Sequence, residues 1–431
     1  RPAAGGERRR GLASPTLRRR GLGVAAGPRA GTGTNQEAVR RHNLGTLLRH
    51  VHDSGEVSRA ELTGRMGLNR STIAGLVAEL ETLALIEHAS PAAGRRGAGR
   101  PSAGVRICED GPYVVAVDLG VDRAEVARVG LGGRIEDRAS AQLPADPEAW
   151  QVGASVAALV RQVVAQSSTT APLLGIGIAV PGLVRRSDGL IRHAPNLSWH
   201  DVSFGSIVLA ALSLDIPIAL GNDADLGALA EHRRGAAVGV GDLVYLSGNV
   251  GVGAGVITGG NRLEGVAGYA GEVGHLCHDP RGSACHCGSR GCWETVVGAP
   301  AIADALKCPA DQVARLGEIL DDMTSAPREL RPIAAELGRG LAAVVNIFNP
   351  SVVILGGYFL PLFRLCRSEV ATGLGERALR PAQDAVRLTL PGLGTDSVLL
   401  GAAEMALEPV FADPVASLAV AVTDASARLA G

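Results

Sequence analysis

The sequence predicts an α/β protein in two parts: a small, mostly helical front module, then a larger body made of two α/β halves. Three observations lead there. The chain has 431 residues, about three times the usual domain size. Its charge is divided: residues 1–110 carry 18 Arg against 10 acidic residues, a net of +8, and residues 111–431 carry a net of -9. In the body, a short apolar strand followed by a glycine-rich turn recurs. A basic front on an acidic body implies that a polyanion would meet only the N-terminal part. With 46 % hydrophobic and 20 % charged residues, a disordered or fibrous chain is excluded.

Residues 1–34, with Arg8–Arg10 and Arg18–Arg20, read as a disordered Arg-rich extension. Such a start can mimic a transit peptide, but no apolar h-region for secretion follows. No charge-free apolar run of about 18 residues occurs, so no membrane span is expected. Seven Cys, four of them between Cys277 and Cys292, point to metal binding in a cytoplasmic chain instead of a disulfide framework.

From Glu37 the apolar residues Leu44, Leu47, Leu48 and Val51 fall on one helical stripe, which Asp53-Ser54-Gly55 ends. Ser58 then caps a second helix with Glu61 three residues on, Leu62 and Met66 face inward, and Gly67 makes the turn. A third helix starts at Asn69 or Ser71 and buries Ile73, Leu76, Val77, Leu80 and Leu83. Helix, Gly-containing turn, helix is the helix-turn-helix arrangement, whose second helix enters the major groove. Its first turn offers Asn69, Arg70, Ser71 and Thr72 to bases or phosphates, and Arg70 has the fork that reads guanine. Leu85–Glu87 and Gly104–Cys108 read as strands around a loop carrying Arg95, Arg96 and Arg100. Strand, basic loop, strand is a wing suited to the phosphate backbone or a minor groove. A protein-interaction module with a solvated loop is the alternative; the basic loop in the wing position favours DNA. Residues 35–108 are thus expected to form a winged helix-turn-helix.

The body opens with a strand at 113–119 and a second at 124–129, joined onward through Gly132-Gly133. A helix over 152–167 leads to a strand at 174–180 and Pro181-Gly182. The cycle recurs: a strand at 243–246 runs into a glycine loop at 251–257, and a helix over 330–348 precedes Val352–Gly357. Two halves of this kind imply a cleft between lobes. Glycine loops let backbone amides approach phosphates, although each alone is also an ordinary strand-to-helix turn.

Residues 268–294 carry the most specific pattern, Gly-Glu-Val-Gly-His followed by Cys-His-Cys-Gly-Ser-Arg-Gly-Cys-Trp-Glu. Zinc takes four soft or borderline ligands in a tetrahedron, and His275, Cys285, Cys287 and Cys292 supply a Cys₃His set from one tight loop. Cys277, His278 and His286 are spare candidates. Four protein ligands leave no open position, so the Zn²⁺ would be structural and would hold Glu294 and Glu272 towards the cleft.

These motifs resemble the signature of the ROK family of repressors and sugar kinases. The similarity extends over residues 40–405 and includes Pro181-Gly182-Leu183-Val184, Gly221-Asn222-Asp223-Ala224 and Asn349-Pro350 ahead of Leu355-Gly356-Gly357. The resemblance implies a two-lobed actin-like, ribonuclease-H-like ATPase fold over 111–405, with a zinc loop at 275–292 and a C-terminal tail at 406–431. A winged helix in front is similar to the family's regulator branch. The resemblance further implies that Asp223 holds the position of the kinases' general base. Asn222, Glu272, His275 and Glu294 would join Asp223 in contacting sugar hydroxyls, with His275 also on zinc. A lone Trp199 matches a family loop but is more often core.

The phosphate side departs from that pattern. Where the kinases have Asp-x-Gly-Gly-Thr-Lys, this chain has Asp118-Leu119-Gly120-Val121-Asp122-Arg123, and Asp122 brings a negative charge towards phosphate. Where they have Gly-Thr-Gly-x-Gly, it has Asn249-Val250-Gly251-Val252-Gly253. A retained sugar site with degraded phosphate loops suits a sensor. The expectation is a repressor of carbohydrate-utilisation genes with no catalytic residue, which binds double-stranded operator DNA as a homodimer or homotetramer and responds to a sugar or sugar phosphate. The alternative is an ATP-dependent sugar kinase with an added DNA-binding domain.

Overall fold

The computed structural model describes residues 35–89, 104–166, 170–422 and 425–429. The predicted extension 1–34 and the wing residues Arg95, Arg96 and Arg100 lie outside the described residues.

The front module runs α1 (Gln36–Ser54), β1 (Glu56–Ser58), α2 (Arg59–Met66), α3 (Arg70–Thr82), β2 (Ile86–His88) and β3 (Gly104–Ile107). The start signals act as read: Ser58 and Glu61 form a reciprocal capping box, and Gly67 ends α2 at φ 64°. The strands pair antiparallel in the order β1-β3-β2. Strand β1 was not anticipated. Three residues show no periodicity, and the strand exists because buried Val57 sits opposite Val105.

The first lobe contains β4 (Tyr113–Leu119), β5 (Arg123–Gly130), β6 (Ile135–Gln142), α4 (Ala149–Ala165) and β7 (Leu173–Val180). A small antiparallel flap follows, β8 (Leu183–Arg185), β9 (Leu190–Ala194) and β10 (Trp199–Val202), then α5 (Phe204–Leu212) and β11 (Ile218–Asn222). Helix α6 (Asp223–Arg234) leads into the second lobe with β12 (Leu243–Gly248), β13 (Val252–Thr258) and β14 (Asn261–Arg262). Next come α7 (Glu294–Val297), α8 (Ala299–Leu306), α9 (Leu316–Asp321), α10 (Leu330–Phe348) and β15 (Val352–Gly357). Helices α11 (Phe359–Leu365), α12 (Arg367–Arg377) and α13 (Arg380–Ala385) precede β16 (Arg387–Thr389). The described chain closes with α14 (Ser397–Ala412), α15 (Pro414–Ala419) and α16 (Ala425–Leu429). No helix among the described residues is long and apolar enough to cross a membrane.

The two main sheets obey one rule, in the orders β11-β7-β4-β5-β6 and β14-β13-β12-β15-β16. In each, three antiparallel strands are extended by two strands parallel to the first. The duplication inferred from the sequence is therefore a duplication of topology. One segment differs from its reading: most of the glycine loop expected at 251–257 is the strand β13. A Cβ on Gly255 would lie 2.3 Å from the Ala224 carbonyl and 2.7 Å from the Ala228 methyl of α6. That glycine serves close helix-on-sheet packing, not the approach of a phosphate.

Helix α14 is buried on nearly every side and crosses residue 405, the expected end of the body. Its Leu399, Ala403, Leu407, Val410 and Phe411 share one apolar cluster with Leu44, Leu47, Leu48 and Val51 of α1. Glycines permit the approach: a Cβ on Gly401 would lie 1.9 Å from the Leu226 carbonyl, and one on Gly45 1.9 Å from the Phe411 carbonyl. Gly45→Ala must therefore push α1 away from α14, at a cost of about 1–3 kcal/mol. Thermal melting should show the loss, and an unchanged melting temperature would refute this packing.

Candidate functional site between the lobes

Helix α6 begins at the cleft. Asn222 is its N-cap, and the side-chain oxygen accepts from the amides of Ala224 at 2.9 Å and Asp225 at 3.2 Å, while Nδ2 donates to the Gly182 carbonyl at 3.1 Å. Much of the Asn222 amide, which the resemblance assigned to sugar, is thus spent on capping α6 and tying it to Gly182. Asp223 is buried, its Oδ1 accepting from the Ala224 amide at 3.0 Å and its Oδ2 from Asn249 Nδ2 at 2.7 Å.

Carboxylates crowd this point. Burial, then the charges of Asp223 and Glu125, push Asp118 up to about 7 against the pull of Arg123. Burial and the neighbouring Asp223 and Glu294 raise Glu272 to about 7, and burial raises Asp225 to about 7 despite Arg262. Burial also raises Asp223, opposed by the hydrogen bonds from Asn249 and Ala224. A carboxyl raised in this way costs the fold nothing below about pH 4 and an increasing amount as pH climbs through about 7. Asp118→Asn should therefore stabilise the protein by about 1–3 kcal/mol at pH 8 and hardly at all at pH 4. Equal melting shifts at both pH values would refute the assignment.

The metal-ligand set converges. The ligand atoms of His275, Cys285, Cys287 and Cys292 all lie within 4.8 Å of one another. Cys285 Sγ stands 3.7 Å from His275 Nδ1, and the sulfurs of Cys287 and Cys292 are 3.6 Å apart. A zinc tetrahedron has S–S edges of about 3.8 Å and S–N edges of about 3.6 Å, from bond lengths of about 2.3 and 2.0–2.1 Å. The cluster can hold a metal ion with little movement. Its tight turn needs Gly291 (φ 67°), where a Cβ would lie 1.6 Å from the Asp279 carbonyl. Of the spare candidates, Cys277 is exposed and outside the group, and His278 binds Glu336 at 2.6 Å. His286 belongs to a second possible group with His275 and Glu294.

Glu272 lies 3.8 Å from His275 Nε2, so the cluster and the cleft adjoin. Glu294 is more occupied than the sequence suggests: Oε2 accepts from the Val252 amide at 2.9 Å and Oε1 faces His286 Nδ1 at 3.1 Å. An amide of the second glycine turn is thus satisfied by the protein's own carboxylate. The first turn closes on itself, with the Gly120 amide donating to the Arg123 carbonyl at 2.8 Å. Trp199 is buried and donates to the Pro147 carbonyl at 3.1 Å, which makes it core. His193 packs against His200 with ring centroids 4.6 Å apart and the rings tilted by 46°, and its buried Nδ1 has no hydrogen-bond partner among the described residues.

At its other end α6 meets the front module. Arg234 donates to Glu404 of α14, to the Gly132 carbonyl at 2.7 Å and to the His52 carbonyl at 3.2 Å. His52, fully buried on α1, accepts from the Gly132 amide at Nδ1 (2.8 Å), so its Nε2 carries the proton and donates to Glu404 at 3.0 Å. Burial lowers the His52 pKa; burial opposes ionisation of Glu404, but His52 and Arg234 hold it well below the usual carboxylate range. No local signal in the sequence reveals this joint, because His52 and Glu404 are 352 positions apart. In α3, Arg70 and Ser71 are exposed at the first turn, whereas Asn69 Oδ1 is spent on the Thr72 amide (2.8 Å) and the Ser71 hydroxyl (2.7 Å).

Comparison with known proteins extends the match beyond the body. The ROK family profile covers residues 114–408. A xylose repressor of Caldicellulosiruptor bescii is 28 % identical over 407 residues, spanning 88 % of this chain and 99 % of its own. A crystal structure of a ROK family transcriptional regulator, a homologue of the E. coli MLC protein, superposes with a TM-score of 0.71 at 24 % identity, over 88 % of this chain and 99 % of that one. A ROK family glucokinase from Streptomyces griseus, solved with glucose and AMPPNP, gives 0.56 at 25 % identity over 68 % of this chain and 98 % of its own. The regulators' share is larger than residues 111–431, so those alignments enter the front module; the glucokinase share is smaller than the body alone. The two-lobed actin-like fold expected from the sequence agrees with these likenesses, and with a profile spanning more than half its residues the chain belongs to the ROK family.

Proposed function

We propose that this protein is a sugar-responsive, DNA-binding transcription regulator, acting as a repressor of carbohydrate-utilisation genes. The observation that carries the reading is α6. One twelve-residue helix, about 18 Å long, has the cleft residue Asp223 at its first turn and Arg234, which grips α1 of the front module, at its last. A ligand that moves the lobes must move the winged helix with them. Coupling of about 1–3 kcal/mol suffices to change operator occupancy several-fold or more.

In this reading Asp223, Glu272, His275 and Glu294 take the sugar hydroxyls, with the remaining donor of Asn222, and Asp223 is a ligand residue without a catalytic role. Zn²⁺ on His275, Cys285, Cys287 and Cys292 is structural and holds Glu294 against the cleft. Arg70, Ser71 and Thr72, with Asn69 as their cap, meet the major groove, and Arg95, Arg96 and Arg100 lie along the backbone. Two winged helices in a homodimer, or a homotetramer of such pairs, match a palindromic operator. Sugar kinase activity is not expected, because Glu294 spends an amide of the second glycine turn and Asp122 repels phosphate.

Fluorescence anisotropy with DNA from the protein's own promoter region tests this, with xylose, glucose, N-acetylglucosamine and their phosphates titrated at two salt concentrations. One sugar should shift the affinity about fivefold or more without ATP. Binding that no sugar alters, or sugar-dependent ATP hydrolysis that disappears in Asp223→Asn, would overturn it.

A further inference from the structure

Asn249 follows β12 in the turn that departs from the kinases' Gly-Thr-Gly. The turn is held by contacts within the protein. The Asn249 amide donates to the Gly251 carbonyl at 3.2 Å, and Glu294, two residues after the ligand Cys292, takes the Val252 amide. A Cβ on Gly251 would lie 2.3 Å from Glu294, so the turn rests directly on that carboxylate. From this platform in the second lobe, Asn249 Nδ2 reaches Asp223 Oδ2 at 2.7 Å, at the point where the first lobe's last strand becomes α6.

We propose that Asn249 is a positioning residue of the ligand site, which clamps the Asp223 carboxylate as a fixed hydrogen-bond acceptor. The proposal rests on the sugar-sensor reading for the identity of the ligand. With Oδ1 on the Ala224 amide and Oδ2 on the Asn249 amide, each oxygen keeps a lone pair for a hydroxyl. An amide donor also favours the ionised carboxylate. The neighbours of Asp223 act the other way: Asp118 on β4, Asp225 on α6 itself, Glu272 beside the metal loop and Tyr245 on β12 all bring negative or uncharged groups, and among the described residues no cationic side chain acts on Asp223. A glycine at 249 would provide no such donor. The substitution that spoils a phosphate turn would thus build a sugar acceptor.

The full-length protein is tested as Asn249→Ala and Asn249→Asp. In ligand-free protein, the Asp223 carboxyl titration is followed by carbon-13 NMR and assigned by its loss in Asp223→Asn. Asn249→Ala should move the midpoint up by about one pH unit. At pH 7 it should weaken calorimetric binding of whichever probe sugar (xylose, glucose or N-acetylglucosamine) the wild type binds, about tenfold, with the deficit shrinking as pH rises. Asn249→Asp should be worse in both. An unchanged midpoint in Asn249→Ala overturns the clamp, whatever the sugars do. A shifted midpoint in a protein whose wild type binds none of the sugars supports the clamp and overturns the sugar-sensor reading instead.

Discussion

Arg234→Ala should cost about 3–5 kcal/mol of stability and abolish the effect of sugar on DNA affinity. The guanidinium neutralises Glu404 and serves the carbonyls of His52 and Gly132, so truncation leaves a buried carboxylate facing only a neutral imidazole. A stability loss alone would not demonstrate coupling. The double variant Arg234→Met with Glu404→Leu removes both charges and fills the space, which for buried pairs is often neutral or stabilising. It should melt near wild type and still fail to respond to sugar. A double variant that responds normally would show that the joint is only structural.

Acid unfolding gives a second readout of the same joint. Glu404 and His52 both have lowered pKa values in the folded protein. A depressed group stabilises above its unfolded pKa, and the benefit is lost as pH falls towards the folded one. The wild type should therefore lose stability from His52 below about pH 6.5 and from Glu404 below about pH 4.5, and the double variant should lack the acid-side Glu404 contribution.

Cys292→Ser or Cys285→Ser should release one equivalent of zinc and lower stability by about 3 kcal/mol or more, though less than the 10–16 kcal/mol of small domains that fold only around the metal. The loop is not a free tether. Trp293 follows Cys292 directly, is buried, donates to the Glu336 carbonyl at 3.1 Å and lies where a Cβ on Gly340 would meet it at 1.9 Å. Loss of the metal should loosen this contact and shift the emission of one of only three tryptophans to longer wavelength. Cys308→Ser, at a cysteine outside the cluster, should do neither. A wild type without bound zinc, melting as the Cys292 variant does, would sink the metal reading.

What the sequence revealed was local. The capping box at Ser58 and Glu61, the turn at Gly67, the apolar stripe of α1 and the Cys-x-Cys spacing each act within a few residues, and each appears where it was read. What it concealed depends on distant partners. Gly255 looked like part of a phosphate loop because the helix that needs its missing side chain begins about thirty residues earlier in the chain. Residues 406–431 looked like a tail, yet Leu407, Val410 and Phe411 have the front module as a neighbour. The Asn249–Asp223 contact and the Arg234 joint have no periodicity to betray them. Polar pairs across a fold leave no spacing rule in one sequence.

The shared core of α1 and α14 also has a consequence for the order in which the protein is made. His52 leaves the ribosome 352 residues before Glu404. At roughly 5–20 residues per second, that interval is about 20–70 s. Throughout it the front module exists without its cover, with an apolar face open to water and the His52 Nε2 lacking its Glu404 partner. Chains interrupted before α14 would keep that face exposed, a form open to proteases and aggregation, so completed synthesis is itself a condition for a protected front module.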